Sequence, residues 1–351
     1  MATIKDIADR AGVSVGTVDR IIHNRGRFSA DTAERVRRIM DELDYSPNLM
    51  ARSLSRTTSC RIGAFLPDAE QDSGYWALPL AGIRRAEADL RPFGLDLDLI
   101  QFDRYDPQSF AAAGERLRDG GYDGILMAPL RDGQSRSIVA SLDPDCPVVY
   151  FDTDLPGERR LAYIGQDSLQ SGRLAARLMR LLAAGSEGTE FAVILAPEVS
   201  NSHLDDRISG FRDSVDDPTD IIRVAVESDH DLEAFDRTLD GRIDEGVCGL
   251  FVVDASAHFA AAYLDRRFGA GARRIPVIGY DLVPENRDWM EAGVIDVLLT
   301  QRPDEQGYDG VNRLFRRIFM DEAGAPTQHT PIDIVMRENL KYILPKAKDE
   351  P

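Results

Sequence analysis

The sequence is short of the residues that build redox, metal and membrane chemistry. It has three cysteines in 351 residues, Cys60, Cys146 and Cys248. Their spacing suits neither a zinc site nor a disulfide framework, so they read as buried thiols of a reducing compartment. Five histidines (His23, His203, His230, His258 and His329) fall mostly in polar or helical surroundings, and only His203, near Arg207, is placed to meet a ligand. No apolar run approaches the roughly 18 residues of a membrane span, and the N-terminus has no signal-peptide core. A soluble, cytoplasmic protein with no membrane partner is expected. In the body of the chain, from Arg61 onward, a glycine-rich dinucleotide loop after a strand, a phosphate-binding P-loop and a nucleophile elbow are all missing. The expectation is that the chain is not an enzyme and needs no cofactor and no metal.

Positive charge is also scarce, with 42 Lys+Arg against 60 Asp+Glu and a net charge of −18. That balance argues against nucleic acid until its distribution is seen. Residues 1–58 hold 10 basic and 8 acidic side chains, net +2, which leaves −20 for the remainder. Such asymmetry suggests a small module with one partner and a larger body with another.

What is present at the N-terminus is a set of helix signals. Ile4, Ile7, Ala8 and Ala11 share a helical face, and Gly12 can end that helix. Ser14 caps a second helix with Val18, Ile21 and Ile22 inward. Val15, Gly16, Thr17, Asp19 and Arg20 are more exposed. "NRG" (24–26) makes a turn, and Ser29 caps a third helix with Ala33, Val36, Ile39, Met40 and Leu43 as its stripe. Three short helices with a tight first turn describe a helix-turn-helix, whose second helix can enter a major groove. A plain docking bundle is the alternative. Pro47 stops the third helix, and "NLMARSL" (48–54) is too short for a stable isolated helix.

The stretches "TIKDIADRAGVSVGTVDRIIHN" and "FSADTAERVRRIMDELDYSPNLMARSL" resemble the DNA-binding head of the lactose-repressor (LacI/GalR) family. The resemblance implies that Val15, Gly16 and Arg20 face bases, with Arg20 able to pair bidentately with a guanine. It also implies that Thr17, Asn24, Ser29 and Thr32 hold phosphates, which fix register. Residues 48–55 would be the hinge helix. Leu54 would wedge into the minor groove, Ala51 would allow close approach, and Arg52 would reach the groove floor or phosphates. Gly16 stands where many relatives carry a reading side chain. Asp19 stands where serine is commoner and would accept from a cytosine or pair with Arg20.

From Arg61 onward, apolar runs alternate with amphipathic stretches: "RIGAFLP", "LDLDLIQF", "DGILMAP" and "CPVVYFD", then, after "LAYIGQDSLQSGRLAARLMRLLAAG", "EFAVILAP", "DIIRVAVES", "GLFVVDA", "IPVIGYD" and "IDVLLTQ". Two strand–helix series point to two similar α/β lobes, each a parallel, doubly wound sheet. Such sheets bind ligands beyond the carboxyl ends of their strands. That rule singles out Tyr75, Trp76, Asp152, Asp254, Asp281 and Gln301. One strand-end aspartate alone is more often a helix cap.

This body resembles the type I periplasmic-binding-protein fold, ribose-type, through "YWALPLAGI", "DDRISGF", "VIGYD" and "TQRPDEQG". The resemblance implies that Tyr75 and Trp76 sandwich a sugar ring. It implies that Asp152, Arg207, Asp254, Asp281 and Gln301 bind its hydroxyls. Where sugar binders usually have arginine after the first aspartate, this chain has Thr153 and Asp154.

The expected architecture is an all-α helix-turn-helix head (1–46), a hinge helix or linker (47–58), an effector-binding and dimerisation domain (59–345) and a tail (346–351). Within the effector domain, the N-lobe is expected over about 60–164 and 302–328, and the C-lobe over about 165–300 and 329–345. The lobes should hinge near Gly165, Asp281 and Thr300–Gln301. The expected function is transcriptional regulation, chiefly repression. A homodimer would bind a palindromic double-stranded operator under control of a small sugar or polyol in the cleft between lobes. A purine-like effector is the runner-up, and a solute-binding protein with no role in transcription is the alternative class.

Overall fold

The computed structural model describes residues 4–22, 26, 28–43, 59–186, 188, 190–195, 202–215, 221–225, 232–240, 242–243, 246–269 and 275–343. At the N-terminus lie α1 (Ile4–Ala11), α2 (Val15–Ile22) and α3 (Ala30–Glu42). Ile7, Ala8, Ala11, Val18, Ile21, Ala33, Val36 and Ile39 bury one another as their core. Gly12 adopts a φ of +65°, the left-handed value that closes a helix end, and the Val13 amide turns back to the Ala8 carbonyl at 3.0 Å. The Ser14 Oγ accepts from the Thr17 amide at 3.1 Å and the Ser29 Oγ from the Thr32 amide at 3.2 Å, which caps α2 and α3.

The body contains two six-stranded sheets. The first runs in the spatial order β11 (Thr327–His329), β5 (Ala162–Gly165), β4 (Val148–Phe151), β3 (Gly124–Met127), β1 (Cys60–Pro67), β2 (Leu95–Phe102). The second runs β12 (Asp333–Val335), β10 (Val297–Thr300), β9 (Val277–Tyr280), β8 (Val247–Val252), β6 (Glu190–Leu195), β7 (Ile221–Ala225). The two orders are the same path walked twice. In each sheet the opening strand (β1 or β6) lies between the second and the third, which makes a topological switch point there. Among the described residues every strand pairing is parallel except β10 with β12, so an antiparallel edge strand closes the second sheet. The short strands β11 and β12 carry no alternation of apolar residues and were not expected.

β1, β3, β4, β5, β8, β9 and β10 are buried along almost their whole length, as strands covered on both faces must be. In the first lobe, helix Ala77–Leu90 lies against the long helix Pro303–Met320. Their backbones nearly touch: a Cβ on Gly82 would fall 1.8 Å from the Asp304 carbonyl oxygen. In the second lobe, helices Ser168–Leu182 and Ser202–Arg212 meet in the same manner, Gly172 against the Arg207 carbonyl and Gly210 against that of Leu169.

The chain passes between sheets three times, after β5, after β10 and between β11 and β12. Gly165 and Thr300 stand at the first two passages. Asp281 does not: it follows β9 into helix Pro284–Glu291 within the second sheet's lobe. Its expected place in the hinge is therefore corrected to the lobe interior. Cys60 and Cys248 are buried and Cys146 half-buried, and none of the three is in a disulfide. Among the described residues, no helix is long and apolar enough to cross a membrane, and no acid, histidine and cysteine group could hold a metal.

Candidate effector cleft and DNA-facing helix

The carboxyl ends of both sheets open on one cleft of about 570 Å³, counted out to its mouth. All seven ligand positions expected from the sequence line it: Tyr75, Trp76, Asp152, Arg207, Asp254, Asp281 and Gln301. β1 leads to the turn carrying Tyr75 and Trp76, and Asp152 follows β4 directly. β8, β9 and β10 deliver Asp254, Asp281 and Gln301. Arg207 comes from the middle of helix Ser202–Arg212.

These side chains form a hydrogen-bonded path across the lobes. The Tyr75 hydroxyl donates to Asp152 Oδ1 at 2.6 Å and accepts from Gln301 Nε2 at 3.0 Å. The same amide nitrogen lies 3.2 Å from Asp281 Oδ2. On its other side, Asp152 accepts from the Thr153 hydroxyl at 3.1 Å, and Thr153 Oγ1 lies 2.7 Å from His203 Nδ1. A hydroxyl has one proton to give. With that proton directed at Asp152, His203 Nδ1 carries its own and donates to Thr153. Burial, aided by Arg207 and Arg104, holds His203 well below the usual imidazole range, so the ring is neutral near pH 7.

Burial pushes the Asp152 carboxyl up, opposed by the Tyr75 hydrogen bond and by Arg207. Asp281 is driven to about 7 by burial, against the pull of Arg207. Its Oδ1 has no protein partner. Arg207, 1 % exposed, lies with its Cζ 3.6 Å from the Tyr280 ring centre and donates through NH1 to the Val253 carbonyl at 2.7 Å. Its Nε and NH2 have no protein partner. Asp254 accepts the Ser256 amide at 2.9 Å and so shapes the turn into helix Ala257–Phe268 while facing the cleft.

The expected aromatic sandwich is not formed by Tyr75 and Trp76. Their rings meet edge to face at 80°, with centroids 5.1 Å apart, and leave no slot between them. Trp76 is 1 % exposed, packs against Phe151 and donates its indole N–H to Asp72 at 2.6 Å. Consecutive residues entering a helix cannot face each other as parallel plates, which is the physical reason. Asp72, Arg104, Tyr105, Leu204 and Ser256 also line the cleft and were not singled out in the sequence. Arg104 and Tyr105 follow β2, whose carboxyl end obeys the rule that found the others.

In the head, Val15 is 49 % exposed and Gly16 and Arg20 are exposed, whereas Thr17 is half-buried. Arg20 folds back over the glycine, its Nε 3.0 Å from the Gly16 carbonyl and its NH2 3.3 Å from Thr17 Oγ1. Ser29 and Thr32 share a hydroxyl contact of 2.7 Å at the start of α3. Asn24, Ala51, Arg52 and Leu54 lie outside the described residues.

Residues 62–318 match the periplasmic binding protein domain, and residues 3–48 match the bacterial regulatory proteins of the lacI family. The HTH-type transcriptional regulator YkvZ of Bacillus subtilis is 40 % identical over 126 residues, 36 % of this chain and 37 % of that protein. That alignment spans little more than a third of YkvZ. The HTH-type transcriptional repressor PurR of Haemophilus influenzae is 28 % identical over 356 residues, 98 % of this chain and all of PurR. The crystal structure of the Lac repressor bound to ONPG superposes with a TM-score of 0.63 at 23 % identity, covering 96 % of this chain and 99 % of that one. With a lacI-type helix-turn-helix ahead of a two-lobed periplasmic-binding-protein domain, the chain belongs to the LacI family of bacterial transcriptional regulators.

Proposed function

We propose that this chain is a cytoplasmic repressor that binds a palindromic operator as a homodimer, with operator affinity set by a small neutral sugar or polyol in the cleft. The observation that carries the effector class is the pair of unsatisfied groups at its centre. Asp281 Oδ1 can only accept when ionised, and Arg207 Nε and NH2 can only donate. A hydroxyl does both, so vicinal hydroxyls satisfy carboxylate and guanidinium together with charge-assisted bonds. An anionic ligand would face Asp152, Asp254 and Asp281. A cationic one would face Arg104 and Arg207.

On the DNA side, Val15, Gly16 and Arg20 would read bases, while Thr17, Asn24, Ser29 and Thr32 would hold phosphates. Ala51, Arg52 and Leu54 would bend the site from the minor groove. A dimer follows from the two half-sites that such heads bind. The acidic body would be repelled by the duplex, so binding should depend steeply on salt.

Effector and operator are then linked reciprocally. A tenfold effect of polyol on operator affinity requires a tenfold effect of operator on polyol affinity, about 1.4 kcal/mol. A thermal-shift screen of sugars, polyols and purines identifies the ligand, since a cleft-binding compound raises the melting temperature. Operator titrations with and without the hit follow. Equal operator affinity in both titrations would overturn the regulatory reading, and a purine hit alone would overturn the polyol.

A further inference from the structure

The turn that carries the aromatic pair is held in an unfavourable shape. Asp72 and Ser73 both take left-handed backbone angles, φ +53° and +58°, ahead of Gly74 at +77°. Side-chain-bearing residues resist that region, so the surroundings must impose it. The Asp72 carboxylate is what ties them together. Its Oδ1 accepts the Tyr105 hydroxyl at 2.6 Å, and its Oδ2 accepts the Trp76 indole N–H at 2.6 Å and the Arg104 guanidinium. With both oxygens engaged, Asp72 serves the protein.

Arg104 differs. Its amide donates to Gln71 Oε1 at 2.9 Å and its carbonyl accepts Arg131 Nε at 2.9 Å, so its backbone is pinned on both sides. Its Cζ lies 5.3 Å from the Tyr105 ring centre. One guanidinium nitrogen is committed to Asp72, yet Nε, in a residue only 9 % exposed, has no partner. A buried donor left unsatisfied is unfavourable. This one belongs to a side chain that lines the cleft, on the lobe opposite Arg207. A guanidinium fixed at one nitrogen presents its remaining N–H groups in a set plane, which a lysine cannot do.

We propose that Arg104 is a specificity-determining residue of the cleft, donating to a ligand hydroxyl from the first lobe while Asp72 sets its plane. The assignment rests on the polyol reading above and deepens it. The ligand is gripped by a guanidinium from each lobe with the carboxylates of Asp152 and Asp281 between them. Compounds with acceptor oxygens at both ends are selected, and those deoxygenated at the Arg104 end are not.

The test titrates D-ribose, D-arabinose, D-galactose and myo-inositol into the full-length protein by calorimetry, followed by deoxy analogues of whichever binds. Arg104→Lys keeps the buried charge beside Asp72 and loses the fork. It is expected to bind at least tenfold more weakly, and one deoxy analogue that binds the wild type poorly should bind this variant no worse than the parent compound. If Arg104→Lys melts below the assay temperature, Asp72→Asn, which unfixes the guanidinium, takes its place with the same expectation. Unchanged affinity in the variant with normal binding by the wild type overturns the Arg104 assignment alone. Failure of the wild type to bind any of the polyols overturns the polyol reading, and the assignment with it.

Discussion

Asp152 and Asp281 are counterparts in the two lobes. Each is the first residue after a fully buried four-residue strand, each takes a left-handed backbone angle (φ +64° and +62°), and both aim buried carboxyls into one cleft. Aspartate tolerates that backbone better than most side chains. It turns the carboxyl away from the strand's own continuation and into the space between the sheets. The doubled fold thus supplies a doubled acceptor.

Asp281 should make the protein pH-sensitive. Its carboxyl is raised from about 3.8 in the unfolded chain to about 7 in the fold. Between those values the folded state keeps a proton that the unfolded chain has released, so stability declines as pH rises from about 4 to 7. At about 1.4 kcal/mol per pKa unit, the full effect is on the order of 4 kcal/mol. Asp281→Asn is expected to flatten this part of the profile and to raise the unfolding midpoint near pH 8. Urea melts across that range check it, and parallel profiles for the two proteins would refute the assignment.

Arg207 has the opposite logic. Arg207→Met leaves Tyr280 and the helix packing in place but removes the cation facing Asp152 and Asp281. Polyol binding should fall by about a hundredfold, the order of one lost charged hydrogen-bond set. Calorimetric titration at pH 7 reads the loss, and a change under threefold counts against a ligand at this position.

The close approach of two glycine-bearing helices gives a prediction about position rather than chemistry. A Cβ on Gly172 would sit 2.0 Å from the Arg207 carbonyl oxygen and 2.9 Å from the Phe211 amide nitrogen. Gly172→Ala must push apart helices Ser168–Leu182 and Ser202–Arg212, taking Arg207 with it. A destabilisation of about 1–3 kcal/mol is expected, together with weaker ligand binding. Wild-type affinity in a destabilised variant would mean that Arg207 is placed by something else.

In the head, Ser14→Ala removes the cap of α2 at a cost of about 1 kcal/mol and should weaken operator binding uniformly across sequences. Arg20→Ala should instead erase preference at one symmetric base pair, worth about 1–3 kcal/mol. Its guanidinium must first leave Gly16 and Thr17. Binding selections with randomised operators separate the two outcomes.

How much of this could be read from residues alone follows from the kind of signal each feature leaves. The three head helices and nine of the body strands announce themselves by period and by caps such as Ser14 and Ser29. The cleft's aspartates announce themselves by following apolar runs. β11 and β12 do not, because three-residue edge strands such as "TQH" bury too little to need an apolar pattern. Arg104 was missed although it follows β2, since a charged residue after an amphipathic edge strand looks like any solvated loop. The edge-to-face setting of Tyr75 and Trp76 depends on the turn at Asp72, whose bonds to Tyr105 and Arg104 link residues more than thirty positions apart.

The threefold passage of the chain between sheets has a consequence for biosynthesis. The first lobe needs helix Pro303–Met320 and strand Thr327–His329 to cover and complete a sheet begun at Cys60, so neither lobe is contiguous in the polypeptide. On the ribosome, the head can fold as soon as it emerges. The first sheet must instead wait, one flank exposed, until the segment from Pro303 to His329 has been made. Exposed strand edges of that kind invite misassembly, so slowing translation should help the head far more than the body, and the newborn body is where a chaperone would be needed.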